Sequence, residues 1–204
     1  GPRVPVHCVT PGLPGAIHRF YDSSPFSPSG RYLAVTQLPF EDRLPRPAEP
    51  AGIVVVDLAT GEARQVAETR GWDSQLGAQL QWGNDDRTLL FNDVDMRNWR
   101  ACGICLDPLG GEQRRLDGTI YAVSPDGRWS AGPCLLRTSR TQRGYGVVVP
   151  PEHVPENRGA PADDGIYVTD LASGASRMLV SIAEIFGTAF PAAIRDQYRG
   201  GDFY

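Results

Sequence analysis

Four arginines and no acid fall between Gly127 and Pro151, in a chain whose formal net charge is −4. Three of them, Arg137, Arg140 and Arg143, share one short stretch with Tyr145, which is flanked by Gly144 and Gly146. The planar fork of a guanidinium suits a carboxylate, phosphate or sulfate. Flexible glycines on either side of Tyr145 let its ring approach a flat ligand such as a sugar. A plainer reading stands beside this one: a solvated loop whose arginines pair with acids elsewhere, Asp163 and Asp164 being candidates. His18, Tyr21, Asp22, Asp42, Arg43, Asn92, Asp93 and Tyr121 complete the set of polar residues with acid–base or hydrogen-bonding potential. Taken singly, each has a structural explanation. His18 can be a surface residue, Tyr121 packing, and Asp22 and the Asn92-Asp93 pair loop caps.

Composition removes several kinds of chemistry. All 20 basic residues are arginine, so no lysine base or Schiff base exists. The mild net charge carries no nucleic-acid footprint, and no apolar run approaches a membrane span. No G-x-S-x-G nucleophile context, phosphate-binding glycine loop or dinucleotide fingerprint occurs. Cys102 and Cys105 have half the spacing of a zinc knuckle, but no second pair follows. On a strand, moreover, side chains three apart point to opposite faces. Neither a metal nor a cofactor is expected. The opening GPRVPVHCVTPGLPG has no initiator Met and no apolar stretch, so a trimmed chain or a piece of a longer one is expected, and the compartment stays open.

The elements that must position these residues recur three times. The units are 24–37 with 52–68, 80–93 with 103–116, and 121–136 with 165–180. Each reads as four short strands, A to D. Strand A enters a polar turn (Ser27 to Gly30, Gly83 to Asp86, Ser124 to Gly127). Strand B follows with apolar alternation. Strand C is rich in β-branched residues and ends in an Asp, and a Gly-containing turn leads to strand D. Pro presets φ, Asp and Ser bond their own backbone, and Gly supplies positive φ, so the chain reverses at each turn. Repeated four-stranded meanders are the blades of a β-propeller; a sandwich shares the short strands but has no reason to repeat the same turns in order.

The fold expected is therefore all-β: a β-propeller of about three four-stranded blades in an incomplete ring. An N-terminal extension covers 1–17, the partial propeller 18–180 (blades about 18–68, 69–116 and 117–180), and a tail 181–204. Ile182, Ile185, Phe186 and Phe190 suggest a short helix there, and Ala192 to Ile194 a second. Missing blades are expected from the parent chain or another subunit. In a meander the B–C and D–A connections share one end. The long ones, Leu38–Ala51, Val94–Cys102, Arg137–Asp164 and Thr69–Gln79, are thus expected on one face, where long loops tend to carry function.

Ser124-Pro125-Asp126-Gly127 and Ile166-Tyr167-Val168-Thr169-Asp170 resemble the TolB-like propeller repeat. Residues 18–180 more broadly look like a bacterial propeller group related to the oligogalacturonate-lyase and ulvan-lyase propellers. His18 to Phe26, Leu80 to Trp82, Phe91 to Asp93, Tyr121 to Gly127 and Arg143 to Gly146 carry the likeness. In such lyases a His or Tyr removes the proton next to a uronic-acid carboxylate, which an Arg neutralises. The resemblance implies catalytic positions at Tyr121, Arg137 and, less closely, His18. Arg140, Arg143, Tyr145, Asn92 and Tyr21 are the residues expected to bind substrate. Two functions follow: a carbohydrate-related propeller that binds an acidic ligand on its long-loop face without catalysis, or a polysaccharide lyase working by β-elimination. The partner expected is an acidic oligo- or polysaccharide, or alternatively a protein, with no role for nucleic acid or membrane.

Overall fold

The computed structural model describes residues 4–204, and its strands form three four-stranded antiparallel sheets. The first sheet holds β1 (Ala16–Ile17), β2 (Tyr32–Gln37), β3 (Ala51–Asp57) and β4 (Glu62–Thr69). The second holds β5 (Gln81–Trp82), β6 (Leu89–Asp95), β7 (Arg100–Leu106) and β8 (Gln113–Leu116). The third holds β9 (Ala122–Val123), β10 (Trp129–Gly132), β11 (Gly165–Asp170) and β12 (Ser176–Ser181). In each, spatial order equals chain order. These are three blades of a β-propeller, and they do not close into a ring.

The same turn chemistry ends strand C in every blade. Asp57 takes the backbone N–H of Ala59, Asp107 those of Leu109 and Gly110, and Asp170 those of Ala172 and Ser173. An arginine at the start of strand B meets that aspartate in the first two blades, Arg31 on Asp57 at 2.8 Å and Arg87 on Asp107 at 2.6 Å. The A–B turns also tie neighbours together. Ser29 donates from Oγ to Asp86 at 2.5 Å, and Asn84 Nδ2 to the Asp126 carbonyl at 2.6 Å.

Burial follows strand alternation. Ala34, Ile53 and Val55 of the first blade pack on Leu89, Phe91 and Ile104 of the second. The opposite face of β6 presents Leu90, which packs with Leu116, Ile120 and Leu171 at the junction with the third blade. Trp129, 36% exposed, heads the far face of the third blade, where the half-buried Ala131, Ile166 and Val168 also lie. Cys102 sits in the first junction and Cys105 against the second, on opposite faces of β7. Burial pushes the Cys102 thiol up to about 11, which makes it a packing residue and a poor nucleophile.

Two features depart from the sequence reading. The second B–C connection is a tight turn, Met96–Trp99, where a long loop was expected over Val94–Cys102. Asp95 makes it so. Its carbonyl takes the N–H groups of Asn98 and Trp99, and its carboxylate takes Arg97 and Arg115, so polar residues that read as loop close a hairpin. Asn92, expected to bind substrate, is fully buried. Its amide donates to the Ile120 carbonyl at 2.8 Å and accepts from the Ile120 N–H at 2.7 Å. Asn92 therefore fastens the second blade to the segment entering the third.

The remaining long connections meet at one end. Trp72 Nε1 donates to the Glu49 carbonyl at 2.7 Å, joining 38–50 to 70–80. Asp73, 2% exposed, takes the N–H groups of Gln75 and Leu76 on one oxygen and that of Gly146 on the other, at 2.9 Å. Gly146 has φ +83°, and a Cβ there would lie 2.4 Å from the Leu135 carbonyl oxygen, so no other residue fits this contact. Burial pushes the Asp73 carboxyl up to about 6, against the pull of its three N–H donors and of Arg19.

Two outcomes test this framework. Replacing Asn92 by Ala leaves the Ile120 amide groups buried without partners, and chemical denaturation is expected to show a loss of about 2–3 kcal/mol. Asp73 has a folded-state pKa above its ordinary value, so its contribution is complete below 3.8 and is lost as pH rises through about 6. Unfolding curves across that window are expected to show stability declining with pH in the wild type relative to Asp73→Asn. Parallel pH profiles would refute the assignment.

Candidate functional site

Between β10 and β11 the chain runs from Pro133 to Asp164 with only two short helical turns, α1 (Thr138–Thr141) and a 3-10 turn (Pro151–His153). Leu135, Val147 and Val149 are buried against Val94, which fixes the loop to the end of the second blade. Arg137 occupies the N-cap position of α1. Its guanidinium comes within 3.3 Å of Asp164, with the two side chains 12% and 4% exposed. Asn157 Nδ2 donates to Asp164 Oδ2 at 2.7 Å. Asp164 Oδ1 is the oxygen that faces the guanidinium, while Arg137 Nε is buried with no hydrogen-bond partner among the described residues.

Both side chains line a cavity of about 300 Å³, with Tyr121 on the same wall. Thr138 and Gln142 add polar edges, and Ile166, Ile182 and Tyr204 make much of the remainder apolar. The C-terminal segment shapes this side. Helix α2 (Ile182–Thr188) begins in a capping box between Ser181 and Glu184 and is followed by α3 (Ala192–Gln197). The last residues then return, Phe203 N–H to the Gly159 carbonyl at 3.0 Å and Asn157 Nδ2 to the Phe203 carbonyl at 2.7 Å. Phe203 packs at a tilt against Phe186, 4.7 Å between ring centroids.

Tyr121 and Arg137, nominated together from the sequence, are thus brought together. Tyr121 lies half-buried beside Gly132, where a Cβ would meet its own at 2.4 Å. Its carbonyl accepts from Gln81 Nε2 at 2.9 Å and from Arg19, whose guanidinium lies 5.0 Å from the ring centroid. His18 is half-buried and does not line the cavity. Arg140 is engaged by its own loop, with Glu156 at 3.4 Å and the Val154 carbonyl at 3.0 Å. Arg143 is exposed, and Tyr145 packs edge-on to Phe20 at 6.2 Å. Tyr21 is fully exposed.

Asp164 and Tyr204 belong to the cavity without having been nominated as site residues, although Asp164 had been a candidate partner for the arginines, and Asn157 supports Asp164 from outside the lining. Arg19 is a further surprise: a side chain 3% exposed that bonds Asp22 at 3.1 Å and reaches the third blade. Nothing in the local sequence marks it. Its importance arises from a contact between residues 102 positions apart.

No protein-family model and no curated protein sequence matches this chain. Among solved structures it is similar to a TolB-type protein from Agrobacterium tumefaciens, at 16% identity and a TM-score of 0.47, covering 83% of this chain and 50% of that one. It is also similar to an oligogalacturonate lyase in complex with manganese, at 16% identity and a TM-score of 0.49, covering 82% and 42%. A third likeness is to the β-propeller domain of the Trilobed protease from Pyrococcus furiosus, at 17% identity and a TM-score of 0.44, covering 76% and 41%. The chain thus spans half or less of the length of these structures. Its likeness is to TolB-like and related propellers, and the three four-stranded meanders themselves carry the assignment of its fold.

Proposed function

We propose that the chain is a carbohydrate-related propeller that binds an acidic sugar on its long-loop face without turning it over. The observation that carries this reading is the cavity lined by Arg137, Asp164 and Tyr121, which puts a guanidinium and an aromatic ring around one small space. A sugar acid suits this lining, with its carboxylate accepting from Arg137 and its hydroxyls meeting Thr138 and Gln142. Tyr121 offers an aromatic wall. A cavity of about 300 Å³ is at the small end of ligand sites and suits one sugar unit. Arg143 and Tyr145 extend the surface along the same loop.

The shared position of Tyr121 and Arg137 favours a second reading, β-elimination on a uronic-acid-containing glycan. That reaction needs an Arg to neutralise the carboxylate, a base for the adjacent proton and an acid for the leaving oxygen. Arg137 is already partly neutralised by Asp164, and no histidine lines the cavity. Binding without turnover is the simpler fit.

Polygalacturonate and glucuronate-containing oligosaccharides separate the two readings. Calorimetric binding is expected, weakened tenfold or more by Arg137→Ala, with no rise in the ultraviolet absorbance of an unsaturated product. A steady rise that Tyr121→Phe abolishes would establish the lyase instead. Absence of both binding and turnover would remove the carbohydrate reading.

A further inference from the structure

We infer that the cavity takes an amphiphilic acid: a uronate that carries a small alkyl or acyl group on the edge of its ring away from the carboxylate. The inference rests on the sugar-acid reading above and narrows its ligand. The polar lining comes mainly from one stretch of the long loop, with Arg137, Thr138, Thr141 and Gln142 close together in sequence. The rest of the lining differs in kind. Ile166 comes from β11, Ile182 and Ile185 from α2, and Tyr204 from the returning tail.

Local structure fixes this apolar wall. Ile182 and Ile185 are three apart on α2, so they share one helix face. The first turn of the helix is fastened to the segment that leads into β11. Ile182 N–H donates to the Asp164 carbonyl at 2.8 Å, and Ala183 N–H to the Pro161 carbonyl at 2.9 Å. The capping box of Ser181 and Glu184 sets where the helix begins. The isoleucines are thus a built part of the cavity.

A bare hexuronate is hydroxylated around its ring. With its carboxylate on Arg137 and hydroxyls on Thr138 and Gln142, the hydroxyls that remain would face isoleucine and give up water for no partner. An alkyl or acyl group on one of those oxygens removes a donor and sets carbon against carbon. Each methyl group buried in this way strengthens binding about fourfold. A volume of about 300 Å³ keeps the substituent small.

Three ligands test this by calorimetric titration into the wild-type chain at neutral pH: methyl β-D-glucuronide, isopropyl β-D-glucuronide and the uncharged isopropyl β-D-glucoside. The isopropyl glucuronide is expected to bind about fivefold or more tightly than the methyl glucuronide. The glucoside is expected to bind about tenfold or more weakly than its acid counterpart. In the double variant Ile182→Asn, Ile185→Asn the two glucuronides are expected to bind alike; should it fail to fold, the wild-type comparison decides by itself. Equal or reversed affinities of the wild type for the two glucuronides would overturn the apolar requirement and leave the sugar-acid reading standing. A preference that persists in the folded double variant would overturn it too. A glucoside that binds as well as the glucuronide, or binding of none of the three, would bring down both.

Discussion

The candidate site depends on a buried carboxylate far from it in sequence. From Pro133 to Asp164 the chain has almost no regular structure, and an unsupported segment of that length would sample many conformations. Asp73 prevents this. It lies in the connection between the first two blades, caps its own turn through Gln75 and Leu76, and uses its second oxygen to hold Gly146. The apolar residues Leu135, Val147 and Val149 keep the loop against the second blade, but apolar contacts are non-directional. The hydrogen bond to Gly146, with that from the Val147 N–H to the Leu135 carbonyl, gives directional anchors beside Arg137. That service has a cost, since a carboxylate kept out of water resists ionisation.

A tension of the same kind runs through the cavity. Arg137 and Asp164 meet at 3.3 Å, yet Arg137 Nε stays buried without a hydrogen-bond partner among the described residues. Removing two charges from water is expensive, and their mutual attraction repays it only when the remaining atoms are also bonded. A pair left incomplete contributes little to stability. It also changes the electrostatics imagined from sequence. The arginine-rich stretch reads as a cationic surface. In the fold its innermost member faces an acid and Arg140 faces Glu156, so the site is a patterned array of donors and acceptors more than a positive field.

Local chemistry was legible in the sequence; encounters between distant residues were not. The aspartates that end strand C and the polar A–B turns act within a few residues of themselves, so Asp57, Asp107 and Asp170 announced the repeat, and it became three sheets. Tyr121 and Arg137 were paired through the resemblance to lyase propellers, and both line one cavity. Asn92 misled because a buried asparagine bonding a neighbouring blade has the same letter as one facing solvent. The Met96–Trp99 hairpin misled because Asp95, Arg97 and Asn98 have the composition of a loop while making the bonds of a tight turn. Tyr204 joins the cavity only because the tail folds back.

Arg19 bears on how the arc unfolds. Repeated units that touch only their neighbours tend to behave as a chain of semi-independent elements, able to melt from one end. Arg19 lies in the segment between β1 and β2, sheltered from water, and grips the Tyr121 carbonyl at the entrance to the third blade. If the third blade detaches, Arg19 keeps Asp22 but loses the Tyr121 carbonyl and the contact with the Tyr121 ring. Fraying at one extremity is thereby felt at the other, so the arc is made to melt as one cooperative body instead of blade by blade.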